Sequence, residues 1–185
     1  MEKHPQSPAQ PHNPRRLHMA AFAQEGATLE GTAVLQDFPR LRMESPRAAA
    51  QTPVQWHAQA HIDQSPGQAP AIRLDLHACA TLPVLCQRCL QPMEETITVN
   101  RTFRFAHDEA SAARLDEELE EDVLVCSRQF DLLNLVEDEL LMALPLAPRH
   151  AICQPATALL DPAVESDPQP HPFAALQQLK KNPPR

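Results

Sequence analysis

Two thiols three residues apart, Cys86-Gln87-Arg88-Cys89, are the side chains in this sequence with the clearest chemical potential. A Cys-x-x-Cys carried on a tight turn aims two sulfurs at one point, as the first half of a zinc knuckle does. The second half that zinc needs is offered far downstream by His150-Ala151-Ile152-Cys153. Cys86, Cys89, His150 and Cys153 together make a chemically sound tetrahedral donor set for a structural zinc ion. Two other readings stand beside it. A redox dithiol lowers its thiol pKa at a helix start, whereas this pair follows a strand-like segment and precedes the turn-like Leu90-Gln91-Pro92. The cysteines can also simply pack in reduced form. Cys79 and Cys126 fall in strand-like stretches and read as structural.

The next chemically active group is Glu137-Asp138-Glu139. Carboxylates can do acid–base work, but no nucleophile or oxyanion donor accompanies them, so a solvated helix face, a salt bridge or a contact for a basic partner is expected. Asp116, Glu117, Glu118, Glu120, Glu121 and Asp122 form a second acidic run, read as a solvated mobile loop or a docking surface. Arg40, Arg42 and Arg47 make the most basic stretch outside the tails, read as a solvated surface or as candidates for RNA contact. His57 and His61 face the same way on a strand and are a weaker metal pair.

Composition closes some routes. The chain has 185 residues, room for one domain with tails, with 20 prolines and only 3 glycines. Gly26, Gly31 and Gly67 are scattered, so there is no glycine-rich loop to cradle phosphate, and a nucleotide cofactor is not expected. No apolar stretch reaches the roughly 20 residues a membrane span needs, and the start lacks a signal-peptide core. A net charge of −8 favours protein partners over a broad nucleic-acid grip. Five cysteines, an odd number, fit a reducing cytoplasm better than a disulfide framework.

The elements that must position these residues are legible from hydrophobic period. Residues 17–25 suggest a short helix, 28–34 a strand, and 37–43 a turn or short helix. Period-two alternation runs through 54–62, with Val54, Trp56, Ala58, Ala60 and Ile62 on one side, and again through 72–82 and 97–105. Residues 108–114 suggest a short helix and 122–126 an extended piece. From Asp131, a residue suited to capping, the period turns helical until Pro145, with Leu132, Leu135, Val136, Leu140, Ala143 and Leu144 as the apolar stripe and Glu137 to Glu139 off it or at its edge. The expected class is α+β: an antiparallel meander with a long amphipathic helix packed on one face and disordered proline-rich tails. The expected division is a flexible tail over 1–16, a single domain over 17–153, a flexible linker over 154–171, and a short helix or tail over 172–185.

Three segments carry a resemblance to a known family. The turn Cys-Gln-Arg-Cys-Leu-x-Pro from Cys86 to Pro92, the stretch from Asp131 to His150 with Cys153 close behind, and His171-Pro-Phe with its following Leu/Lys segment to Lys180 resemble, in order, the motifs of the YceD family of large ribosomal RNA subunit accumulation proteins. His171 stands where that family usually has asparagine, and the first 80 residues are similar only in layout. The resemblance implies a cytoplasmic, non-enzymatic role in synthesis, processing or stability of 23S ribosomal RNA. The implied partners are ribosomal or RNA-processing proteins, with a 23S precursor as a further one. Candidate contact residues are Glu137, Asp138, Glu139, Arg88, Phe173, Leu176 and Lys180. The alternative is a zinc- or thiol-dependent enzyme or redox protein using Cys86 and Cys89.

Overall fold

A computed structural model describes residues 12–64 and 69–152. The sequence alternation becomes a sheet with strand order β1-β2-β3-β4-β5. The strands are β1 (Thr28–Val34), β2 (Pro53–Asp63), β3 (Ala71–Leu85), β4 (Pro92–Ala106) and β5 (Asp122–Val125). Neighbouring pairs from β1 to β4 are antiparallel, the meander expected from three alternating runs and short connections. The fifth strand departs from that expectation. It runs parallel to β4, pairing Phe103 with Asp122 through Ala106 with Val125. A parallel partner needs a crossover rather than a hairpin, and helix α3 (Glu109–Glu118) supplies it, capped by Asp108, whose side chain accepts from Ser111 N–H at 2.7 Å.

Alternation sorts the two sheet faces. Val54, Ala58, Leu74, Ala78, Leu82, Val99 and Phe103 are buried on one face. The other is polar and cross-linked by short pairs: His77 with Asn100 at 2.7 Å, Thr102 donating to Asp75 at 2.7 Å, and Thr81 with Thr96 at 2.9 Å. Gly31 lies opposite Trp56 in the ladder, and a Cβ there would come within 2.9 Å of the indole, so the glycine makes room for that ring.

Helices α1 (Met19–Gln24), α2 (Pro39–Glu44) and α4 (Leu132–Ala143) add Met19, Phe22, Leu41, Leu132, Val136 and Leu140 to the same core. Asp131 does cap α4, accepting from Asn134 N–H at 3.0 Å, a contact of about 1 kcal/mol. The burial of α4 is broader than a single stripe, because it touches β3, β4 and α2. Glu137 and Glu139, expected off the stripe or at its edge, are both buried. Ahead of α1, Leu17 and Phe130 exchange backbone hydrogen bonds of 2.8 and 2.9 Å, and Leu132 N–H reaches Pro14 O at 2.8 Å, so the chain joins the fold before residue 17. The proline-rich segments 1–11 and 153–185, and with them most of the expected tails, lie outside the described residues. Among the described residues no helix is long and apolar enough to cross a membrane.

Candidate functional site

The register of β3 on β4 closes at Leu85 opposite Pro92, leaving six residues to turn the chain. Within that turn Cys86 N–H donates to Gln91 O at 3.0 Å and Leu90 N–H to Cys86 O at 2.9 Å. Closing it puts Leu90 at φ +58°, a left-handed conformation that costs a non-glycine residue about 1–2 kcal/mol. Pro145 cannot continue α4, and the chain folds back along the turn, where Gln87 N–H donates to Pro148 O at 2.8 Å. That main-chain bond brings in His150. The Cys86 and Cys89 sulfurs and a ring nitrogen of His150 all lie within 4.8 Å of one another, and Cys89 Sγ is 3.4 Å from His150 Nδ1. Among the described residues this is the one such group of three metal-binding side chains. Cys153 lies outside the described residues.

Cys86 is fully buried, while Cys89 and His150 are half-buried. Burial pushes the Cys86 thiol up, but hydrogen bonds from the backbone N–H groups of His150, Arg88 and Cys89, and from the Cys89 thiol, outweigh it and bring the pKa down to about 5. These hydrogen bonds favour the thiolate form of Cys86. A thiolate serves both metal ligation and disulfide exchange, but exchange requires a sulfur that a partner can reach. Burial turns the balance toward ligation. Among the described residues no cysteine forms a disulfide.

The carboxylates have a different fate. Phe38, which precedes α2, offers no side-chain cap, so the first amides of α2 need an outside acceptor. Glu137 of α4 supplies it. Its Oε1 accepts from Arg40 N–H at 2.7 Å and Leu41 N–H at 3.1 Å, while Oε2 accepts from Arg40 Nε and Nη2 at 3.0 and 2.9 Å. Asp138 and Asn134 take further Arg40 donors. At the other end of α2, the Ser45 hydroxyl donates to Pro83 O at 2.7 Å. Arg40 is thus engaged inside the fold, whereas Arg42 and Arg47 are exposed. Glu139 sits near Arg101, at 3.9 Å, because Arg101 occupies a core-side register position opposite Leu76. Desolvation raises the Glu139 pKa despite that arginine, with Asp122 and Asp138 adding to the rise.

The acidic run also has more order than a solvated loop. Asp116 to Glu118 end α3, Glu121 pairs with Arg73 at 2.9 Å, and Asp122 pairs with Arg101. Asp116, Glu117, Glu118 and Glu120 remain exposed. Arg88 projects from the knuckle turn as an exposed residue; Phe173, Leu176 and Lys180 lie outside the described residues. His61 pairs with Asp75 at 3.6 Å and His57 stands opposite His77. Sequence reading missed the Arg40–Glu137 anchor and the Gln87–Pro148 bond. The uncapped start at Phe38-Pro39 was a usable signal for the first, and a main-chain bond leaves none for the second.

Comparison with known proteins adds an independent line. The family described as large ribosomal RNA subunit accumulation protein YceD matches residues 74–180, from the middle of β3 to beyond the described residues. A Haemophilus influenzae protein bearing that same description is 32% identical over 101 residues, 52% of this chain and 58% of the relative. The matched part therefore spans a little over half of that relative's length. No solved structure matches.

Proposed function

The chain belongs to the YceD family, and from that membership we propose that it is a cytoplasmic, non-catalytic accessory factor in the accumulation of 23S ribosomal RNA. The observation that carries the reading is the match across residues 74–180, which takes in the cysteine turn and α4, to proteins named for large ribosomal RNA subunit accumulation. The non-catalytic part is supported by the site. The activated thiol, Cys86, is fully buried, and Glu137 is engaged by an internal arginine and two backbone amides.

The proposed mode of action is adaptation between proteins: basic ribosomal or RNA-processing proteins meet the exposed acids Asp116, Glu117, Glu118 and Glu120, with Asp138 at 40% side-chain exposure a further contact. Arg88 and the segment containing Phe173, Leu176 and Lys180 are the proposed contacts for a second partner or for precursor RNA. The deciding measurement is the ratio of 23S to 16S ribosomal RNA in cells lacking the protein, beside complemented cells. A selective fall in 23S, restored by the complementing copy, is expected. An unchanged ratio overturns the reading.

A further inference from the structure

We infer that Cys86, Cys89 and His150 hold one zinc ion that clamps the β3–β4 turn to the segment following α4. The inference stands apart from the ribosomal reading, since it rests on geometry alone. Tetrahedral zinc with its usual bond lengths of about 2.3 Å to sulfur and 2.05 Å to nitrogen sets sulfur and nitrogen ligands about 3.5 Å apart. The Cys89 Sγ to His150 Nδ1 separation is 3.4 Å. Sulfur ligands on such an ion lie about 3.8 Å apart, and the three donor atoms here fit within a 4.8 Å span.

The surroundings of Cys86 point the same way. A neutral thiol is a weak acceptor, yet backbone N–H groups of Arg88, Cys89 and His150 converge on this one sulfur. A converging set of amides suits a sulfur that carries negative charge, as a metal-bound sulfur does. Two sulfurs and an imidazole favour a borderline-soft ion over magnesium or calcium, which take oxygen. Cys86 receives one of its N–H bonds from His150 and Gln87 N–H donates to Pro148, so both strands of the clamp already share main-chain bonds. Binding releases any protons held by the ligand side chains and involves no change of oxidation state.

The site also shapes its neighbourhood. The segment from Leu144 to Pro148 forms one wall of a groove whose other walls are Glu44, Arg47 and Pro83 to Leu85. Fixing His150 fixes that wall.

The test uses the full chain, stripped with a chelator, kept reduced, and titrated with cobalt(II). One equivalent is expected to bind with the intense visible bands of tetrahedral cobalt and sulfur-to-cobalt charge transfer, and zinc is expected to bleach them. Loss of a residue that merely hydrogen-bonds to a metal ligand costs about 10–100-fold in metal affinity, so Cys86→Ser, Cys89→Ser and His150→Gln are each expected to weaken binding by at least about 100-fold. Cys79→Ser and Cys126→Ser are expected to leave it unchanged. Weak octahedral cobalt spectra in the wild-type chain, or binding retained by Cys86→Ser, overturn the site.

A second readout needs no variant. Trypsin cleavage after Arg88 and Arg149, which flank Cys89 and His150, is expected to slow by at least about 10-fold when zinc is added to stripped protein. Equal cleavage with and without zinc overturns the clamp.

Discussion

The cysteine turn and the carboxylates of α4 both looked like functional clusters, and the fold treats them in opposite ways. At the turn, Cys86, Cys89 and His150 bring donor atoms together around a common point within 4.8 Å. On α4, Glu137 faces inward to cap α2 and bind Arg40, and its side chain keeps only 5% exposure. The lesson concerns where charge is balanced. The carboxylate finds its cation within the chain, whereas the buried Cys86 sulfur gathers backbone donors and stands beside two further soft donor atoms.

The largest expected effect breaks the balanced side of that comparison. Glu137→Ala leaves the first amides of α2 without their acceptor and Arg40 without its main partner, and is expected to cost about 3–5 kcal/mol in urea unfolding. An unchanged m-value would attribute the loss to stability rather than to a looser native state. A cost below about 1 kcal/mol would show that solvent replaces the carboxylate, and the contrast with the turn would collapse.

Away from both clusters, Gly31→Ala tests whether the sheet tolerates a crowded position. The new Cβ meets the Trp56 ring at 2.9 Å, and overpacking is expected to cost about 1–3 kcal/mol. Tryptophan fluorescence would report the displaced indole.

The turn predicts the opposite sign. Leu90 holds φ +58° with 66% of its surface exposed, so Leu90→Gly relieves backbone strain and gives up little burial. A gain of up to about 1 kcal/mol is expected, part of the relief being offset by glycine's greater freedom in the unfolded chain. A clear loss of stability would mean that the leucine side chain itself holds the turn.

The smallest effect concerns Glu139. Its folded pKa is raised above the ordinary 4.5, chiefly by desolvation, so the native state holds its proton more tightly than the unfolded chain does. The stability this proton contributes is present below pH 4.5 and is lost as pH rises through the raised folded value. Glu139→Gln removes that dependence. The stability difference between variant and wild type is expected to move in favour of Gln as pH rises through the window, and a difference that stays flat with pH would contradict the shift. Asp108 contributes with the other sign in both proteins. Hydrogen bonding to Ser111 lowers its pKa, so its contribution is present above the ordinary value and fades in acid.

Much of the fold was legible because side-chain period is a local property. Strand β1 at Thr28–Val34, the burial of alternate residues along β2, β3 and β4, and the Asp131 cap all follow from neighbours a few positions apart. The parallel run of β5 was not legible, because four residues from Asp122 to Val125 specify an extended conformation but no direction. The metal-type cluster was legible as far as its donor chemistry. That Cys86 is the buried thiolate and His150 its neighbour depends on main-chain bonds across the turn.

By itself the sequence determined the alternating strands, the helix boundaries near Asp131 and Pro145, and the Cys86–Cys89 pair, all consequences of residue type and short spacing. Tertiary structure alone decided which charges remain available. Arg40 and Glu137 are separated by 97 positions and meet only because α2 packs against α4. Burial and hydrogen-bond satisfaction are set by such long-range contacts, and they separate a carboxylate already bound within the fold from a buried sulfur held among other soft donors.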